Sequence, residues 1–157
     1  MKPEHKKIFE SLVDYQIFGL CIEREAGGEP FEGRVAVGTV ILNRVDKKGW
    51  MGQTIQEVIL KPWQFSWTMP EAGESYYDES VKIASNWVDE FRKRVSLQEC
   101  CEIATRMITK GLPRDPDLAA VHCVQYLNPK VAGATKEKWL AAGMKVVKEI
   151  GHHQFFA

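Results

Sequence analysis

Residues Cys21 to Val45 read CIEREAGGEPFEGRVAVGTVILNRV, and this stretch decides the fold. A Gly-Gly pair divides it into a glutamate-rich part and an apolar run, VAVGTVIL. A surface helix can carry many carboxylates, but it rarely breaks at Gly-Gly and then enters a core. The stretch therefore predicts one helix that stops at the glycines and a second, buried element behind them. Its glutamates are Glu23, Glu25, Glu29 and Glu32.

The elements on either side of the glycines follow from apolar spacing. From about Lys6 to Arg24 apolar residues recur at helical intervals, which predicts a helix that Gly27-Gly28 ends. Pro30 suits the first turn of the next helix. Residues 35–45 fit either a buried strand or a buried helix, since periodicity alone does not separate them. We favour a helix because the pattern continues to Val45 without a turn signal.

The rest of the chain is also mostly helical in pattern, with capping boxes at Thr54 and Ser96. Residues 119–129 alternate between polar and apolar, which indicates a strand. We expect a mainly α (α+β) fold with one or two short β-strands near the C-terminal third, in a single domain over residues 1–157. The remaining predictions are a short helix ended by Pro62, helices over 79–95, 96–111 and 135–150, and an extended tail from His152.

Composition excludes several function classes. The 21 lysines and arginines balance 21 aspartates and glutamates, so no broad basic surface for nucleic acid is expected. No apolar stretch is long enough to span a membrane. The N-terminal residues MKPEHKKIFESL contain no apolar core of a secretory signal, so we expect synthesis in the cytoplasm. Four cysteines in no metal-binding spacing predict buried, reduced thiols, and neither a metal nor a cofactor is expected.

The glutamates before the glycines allow two interpretations. Glu23, Glu25 and Glu29 lie near a helix C-terminus, where the helix dipole disfavours an anion. A carboxyl held there beside apolar surface has a raised pKa, which suits a general acid that protonates a leaving oxygen. The other interpretation is a solvated helix end with a glycine cap. This stretch alone leaves both open.

Other candidate site residues are equally ambiguous when each is taken alone. The aromatics of WQFSW, residues 63–67, could stack on sugar rings or fill the core. Tyr126 and Asn128 stand at a predicted strand end and could bind a ligand in a cleft. His152 and His153 point in different directions if the tail is extended. A zinc site of His122, Cys123 and one tail histidine has ligand types but no supporting spacing.

Taken together, four ordered blocks resemble the SleB-like cell wall hydrolases, the spore-cortex-lytic family with phage and bacterial relatives. The blocks span Glu25 to Phe156, and residues 69–117 between them carry no family motif. Gly27 stands where the family usually has arginine. The four blocks are EAGGEPFEGRVAVGTVILNRV, IQEVILKPWQFSW, VQYLNP and IGHHQFF.

The resemblance implies a lysozyme-like helical fold and cleavage of peptidoglycan glycan strands. It makes Glu25 the catalytic residue of a lytic transglycosylase, which acts first as acid and then as base. Glu29 and Glu32 are interpreted as first-turn anions of the next helix, and Asn43 and Arg44 as structural. The residues that the resemblance places around the glycan are Gln64, Phe65, Ser66, Tyr126, Asn128 and His153.

Three alternatives stay open. A hydrolytic muramidase would cut the same bond with water, and a zinc amidase would use His122, His153 and a cysteine. A wall-binding module would bind without turnover. The expected partner is the peptidoglycan glycan strand, with no nucleic acid and no membrane span, and the protein is expected to be a monomer. It would reach the cell wall after release, as phage lysins do, or by another export route.

Overall fold

A computed structural model describes all residues, Met1–Ala157. It contains nine α-helices and one small antiparallel sheet, so the expected mainly helical fold is confirmed. The sheet has three strands rather than one or two. The helices are α1 (Pro3–Glu10), α2 (Asp14–Ala26), α3 (Phe31–Lys47), α4 (Ile55–Leu60), α5 (Glu74–Ser85), α6 (Trp87–Lys93), α7 (Val95–Ile108), α8 (Pro116–Ala120) and α9 (Gly133–Ala141). The strands are β1 (Gln125–Leu127), β2 (Val146–Ile150) and β3 (His153–Phe156).

The core is built around α2 and α3. The apolar run of α3 is buried almost throughout, which confirms the helical interpretation of residues 35–45. α2 packs most extensively against α7, and it also contacts α3 and α4. One cluster of buried apolar side chains joins these helices to Phe155 of the sheet. α2 and α3 are therefore held firmly, and the loop between them is fixed in place.

Two predicted long helices are each divided in two. Residues 6–24 form α1 and α2, with a break where the side chain of Gln16 accepts a hydrogen bond from the Val13 N–H. Residues 79–95 fall in α5 and α6, which meet at Asn86. Apolar spacing continues across both breaks, so periodicity did not reveal them, although Val88 of α6 is exposed.

The two capping boxes have different outcomes. Thr54 does begin α4, and its hydroxyl accepts a hydrogen bond from the Glu57 N–H at 3.1 Å. The prediction for Ser96 was wrong: α7 starts at Val95, and the buried Ser96 hydroxyl has no hydrogen-bond partner. α7 ends at Ile108, and Lys110 rather than Gly111 adopts the left-handed conformation beyond it.

The C-terminal third was predicted least well. The helix expected over 135–150 ends at Ala141, and Val146–Ile150 forms β2 instead. The strand expected over 119–129 is only β1, because Asp115 caps the short helix α8 in front of it. The tail is extended as expected and forms β3, the central strand of the order β1-β3-β2. Pairing with the tail decides these segments: β2 forms a hairpin with it, and β1 pairs with it from a distant part of the sequence.

Candidate active site

A cleft of about 430 Å³ opens between the end of α2, the loops around α4 and the sheet. Its size is that of a small-ligand site. Of the six residues predicted to bind the glycan, five line the cleft together with Glu25. The lining side chains that matter below are Glu25, Arg44, Trp50, Trp63, Gln64, Ser66, Tyr126, Asn128, Trp139 and His153.

Glu25 lies in the last turn of α2 and is the only carboxylate that lines the cleft. The Tyr126 hydroxyl donates a hydrogen bond to Glu25 Oε2 at 2.8 Å. Burial raises the pKa of Glu25 above the usual value for a glutamate, and the Tyr126 hydrogen bond and the charges of Arg44 and Arg24 oppose this shift only in part. The carboxyl therefore holds its proton to a higher pH than an exposed glutamate does.

The sheet positions Tyr126. On β1 this residue pairs with Phe155 of β3, and its ring contacts both Phe155 and His153, with centroids 5.7 and 5.2 Å away. Burial and the nearby Glu25 charge raise the pKa of Tyr126 well above its usual value. The phenol is therefore neutral at ordinary pH and serves as a hydrogen-bond donor to Glu25.

Arg44, in the last turn of α3, stabilises the fold and also lines the cleft. Its Nε donates to the Val124 carbonyl at 2.9 Å, and its guanidinium lies 5.3 Å from the centroid of the Phe65 ring. The side chain is buried, yet Nη1 has no hydrogen-bond partner. Sequence reasoning took Arg44 as structural alone and missed that it lines the cleft.

The prediction for Phe65 was wrong, whereas Gln64 and Ser66 do line the cleft. Phe65 and Trp67 are buried in the core, and the Phe65 ring lies under the Arg44 guanidinium. In the short 3₁₀ turn from Ser66 to Thr68, Ser66 is exposed, whereas Trp67 and Thr68 are buried. In WQFSW the core interpretation therefore holds for Phe65 and Trp67, and Trp63 is 74% exposed.

Three tryptophans at the cleft were not assigned from the sequence. Trp50 lies in the loop before α4 and is 66% exposed, Trp63 follows α4, and Trp139 lies on α9. Trp139 also packs against Phe156, with ring centroids 5.2 Å apart. From the sequence, Trp63 was open between sugar stacking and the core and Trp50 was not considered, because their exposure and common position require the folded chain.

The tail histidines diverge as expected from an extended chain. His153 faces the cleft and is buried, and its Nδ1 has no hydrogen-bond partner. Burial lowers the pKa of His153 despite the nearby Glu29 carboxylate, so the ring is neutral near pH 7. His152 points away and contacts Glu29.

Glu29 corrects an expectation from the sequence, because it is not a first-turn anion of α3. That helix begins at Phe31, and Glu29 precedes it. Its carboxylate accepts a hydrogen bond from the His152 N–H at 3.0 Å and lies 2.8 Å from His152 Nδ1. Glu29 therefore holds the turn between β2 and β3 that places His153 at the cleft. Glu32, in the first turn of α3, is exposed as expected.

Comparison with known proteins matches the sequence of this chain to a described family. Residues 28–156 match the family described as cell wall hydrolase, which is most of the chain. The chain belongs to the cell wall hydrolase family. Glu25 lies three positions before the matched region, so its role rests on the geometry of the cleft. No match was found among curated proteins.

The cell wall hydrolase is also similar to a solved structure. This is the catalytic domain of the germination-specific lytic transglycosylase SleB from Bacillus anthracis. The two share 25% sequence identity with a TM-score of 0.58, over 92% of this chain and 93% of that one. The similarity therefore extends over most of the fold.

Gly27 of the cell wall hydrolase stands where the resemblance leads one to expect arginine. A Cβ atom there would lie 2.5 Å from the Glu23 carbonyl oxygen of α2 and 3.2 Å from Ser96 Oγ on α7. Arg34 donates to the carbonyls of Gly27 and Glu29 at 2.7 and 3.2 Å, and it pairs with Glu99 on α7 at 2.6 Å. The Glu23 carbonyl and, to a lesser extent, the Ser96 side chain thus leave little room for a side chain at position 27, and Arg34 stabilises the loop instead.

The side chains proposed for a zinc amidase do not form a ligand set. No group of three or more histidine, cysteine, aspartate or glutamate side chains is placed to hold a metal ion. All four cysteines are buried free thiols, and burial raises the pKa of Cys100 and of Cys101 to about 12. No helix is long and apolar enough to cross a membrane.

Proposed function

We propose that this cell wall hydrolase cleaves peptidoglycan glycan strands between N-acetylmuramic acid and N-acetylglucosamine. The proposed reaction is lytic transglycosylation with Glu25 as its single acid and base. The observation that carries the proposal is the isolated position of Glu25: a carboxyl with raised pKa, alone among the acidic side chains of the cleft. Family membership and the likeness to a lytic transglycosylase domain support the substrate class.

The number of carboxylates favours this reaction over ordinary hydrolysis. Most glycosidases need two carboxylates, about 5–5.5 Å apart for retention and about 6.5–9.5 Å apart for inversion. Glu29 is the next glutamate of the motif along the sequence, but both its oxygens engage His152, and it does not line the cleft. A transglycosylase needs no second carboxylate because a hydroxyl of the substrate replaces the attacking water.

The proposed reaction proceeds in two proton transfers. Protonated Glu25 donates its proton to the glycosidic oxygen, and the bond from that oxygen to C1 of the muramic acid breaks. The resulting carboxylate then takes the proton of the muramic acid C6 hydroxyl, and O6 forms a bond to C1. A 1,6-anhydro ring results, and Glu25 regains its proton.

The neighbours of Glu25 support both protonation states. The raised pKa keeps the acid protonated before bond cleavage, and burial is the main cause. The Tyr126 hydroxyl and the Arg44 guanidinium stabilise the carboxylate that exists between the two transfers. Both groups are held in place without substrate by the sheet and by the Val124 carbonyl.

The test compares Glu25→Gln with the parent protein on purified cell wall. Glutamine keeps the shape of the side chain but cannot donate the proton, so we expect solubilisation to fall by about 10²–10⁴-fold. Glu23→Gln is the matched control, because Glu23 is on the same helix but does not line the cleft. If the Glu25→Gln variant lyses the wall at the parent rate, the assignment is wrong.

Mass spectrometry of the soluble products separates the remaining candidates. Anhydro ends indicate transglycosylation, and reducing ends one water heavier indicate a hydrolytic muramidase. Released peptides that depend on a metal and vanish with chelator would indicate an amidase. Protein that pellets with the wall but does not lower its turbidity would indicate a binding module.

A further inference from the structure

Trp63 has a backbone conformation that its side chain does not favour. Its φ is +67°, in the left-handed region that glycine adopts at little cost and bulky residues rarely enter. The side chain is 74% exposed, so burial contributes little to offset this strain. A strained residue that adds little to packing points to a role in binding.

The position of Trp63 indicates what it would bind. It borders the cleft next to Gln64, and Trp50 borders the same cleft from the preceding loop. That loop is closed by a bridge between Gly49 and Gly52, which holds the exposed Trp50 on a tight turn. Both indoles therefore stand at the rim without partner rings of their own.

The chemistry of the surrounding side chains favours a sugar over a peptide. Besides the indoles, the lining includes amides and a hydroxyl, namely Gln64, Gln125, Asn128 and Ser66. The only charged lining residues are Glu25 and Arg44, which carry opposite signs when ionised. Flat indoles contact the C–H faces of sugar rings, and amides bind their hydroxyl and acetamido groups.

We infer that Trp63 and Trp50 form a sugar-binding platform that holds an acetamido-sugar of the glycan strand beside the Glu25 centre. The inference rests on the proposed function for the identity of the strand. It assigns the two tryptophans to substrate affinity and gives them no part in proton transfer. Trp63 would also make the protein bind glycan strands with a free sugar face more tightly than strands in which that face is blocked.

The experiment measures binding without turnover, in the Glu25→Gln background. The probe is a β-1,4-linked tetramer of N-acetylglucosamine, followed by quenching of tryptophan fluorescence and by calorimetry. We expect Trp63→Gly to weaken binding by about tenfold or more, and Trp50→Ala to weaken it similarly. Trp63→Phe keeps an aromatic ring and should retain part of the affinity.

Thermal unfolding provides the second readout. Glycine fits φ +67° without strain, so Trp63→Gly should leave Tm unchanged or raise it. Lys110→Gly is the matched control: Lys110 has φ +60°, is exposed and does not line the cleft. It should behave like Trp63→Gly in Tm and like the parent in binding. A purely structural Trp63 would instead lower Tm on replacement and leave binding unchanged.

The outcomes separate this inference from the proposed function. Parent-like binding by Trp63→Gly, or no binding of the tetramer by the protein with both tryptophans, overturns the platform. Loss of binding with unchanged Tm supports it, whatever the products of wall digestion are. Failure of Glu25→Gln to reduce lysis overturns the catalytic assignment and does not affect the binding comparison.

Discussion

At the residue scale, Glu25 and Tyr126 form the central pair. They lie 101 positions apart in the sequence, and their hydrogen bond of 2.8 Å joins the end of α2 to the sheet. Burial raises the pKa of Glu25, and this hydrogen bond opposes the rise because it stabilises the charged form. Burial thus favours the protonated form of Glu25, and the Tyr126 hydrogen bond keeps its carboxylate form accessible.

Replacing Tyr126 with phenylalanine tests that balance. Without the phenol donor the pKa of Glu25 should rise further, so the acid stays protonated to a higher pH. The alkaline limb of kcat/KM should move to higher pH, and the rate at the optimum should fall by about tenfold or more. Wall solubilisation measured across pH reports both effects.

Tyr77→Phe is the control for this comparison. Tyr77 is a buried tyrosine whose hydroxyl contacts His5 and the Lys2 N–H, and it does not line the cleft. Its loss should leave the pH profile in place. An unchanged profile in Tyr126→Phe would show that the hydrogen bond does not set the protonation of Glu25.

At the element scale, the loop between α2 and α3 is tied to the hairpin of β2 and β3. The Glu29 carboxylate is 8% exposed and holds His152, and Gly151 at φ +56° allows the turn to approach that carboxylate closely. Burial alone would raise the pKa of Glu29, but hydrogen bonds from His152 outweigh it, and the pKa is lowered. The hairpin in turn carries His153 to the cleft.

Glu29→Gln should weaken this connection between loop and hairpin. We expect the free energy of unfolding to fall by about 1 kcal/mol at neutral pH. The effect is modest because His152 is exposed. A lowered folded-state pKa stabilises the protein above the unfolded-state pKa of about 4.3, and this is lost as pH falls through the folded-state value. The Tm of Glu29→Gln should therefore fall less than the Tm of the parent as the pH is lowered, because the variant has no Glu29 carboxylate to protonate.

Thermal melts between pH 3 and 7 check the prediction, with Glu32→Gln as control. Glu32 is exposed and belongs to the same motif, so the Tm of Glu32→Gln should stay close to that of the parent at each pH. Equal melting curves for Glu29→Gln and the parent at every pH would contradict a stabilising role for this connection.

At the scale of the whole molecule, the contact of α2 with α7 determines how close the helices pack. Gly19 lies against Cys101, and a Cβ at position 19 would be 2.7 Å from the Cys101 Cα and 2.9 Å from its N. Those atoms are backbone, so they cannot move without displacing α7. The same α7 covers Gly27 beside the candidate acid, so its position bears on the site.

Gly19→Ala should destabilise the fold by about 2–3 kcal/mol, because an added methyl group would separate two packed helices. Chemical denaturation measures the change. Gly28→Ala is the matched control, since a Cβ at position 28 meets nothing within 4 Å. Equal stability of the two variants would show that α7 can shift at little cost.

Two of the helices that carry the site could be predicted from the sequence because their causes are local. Apolar spacing placed the helix ahead of Gly27, and an apolar run without a turn signal placed the buried helix α3. The glycine break drew attention to several glutamates, and the family resemblance selected Glu25 among them. The aromatic loop was also recognisable, although the directions of Phe65 and Trp63 were not. Side-chain direction within a short turn depends on which face the core covers.

What only the tertiary structure decided lies in strand pairing and in the meeting of distant segments. β2 looked helical, and it became a strand because it forms a hairpin with the C-terminal tail, which also pairs with the distant β1. Tyr126, Arg44 and Glu25 come from a strand, a helix end and another helix end, and their meeting requires the complete core. Local patterns fix which face of an element is apolar, whereas the shared burial of distant segments determines which polar side chains meet at the cleft.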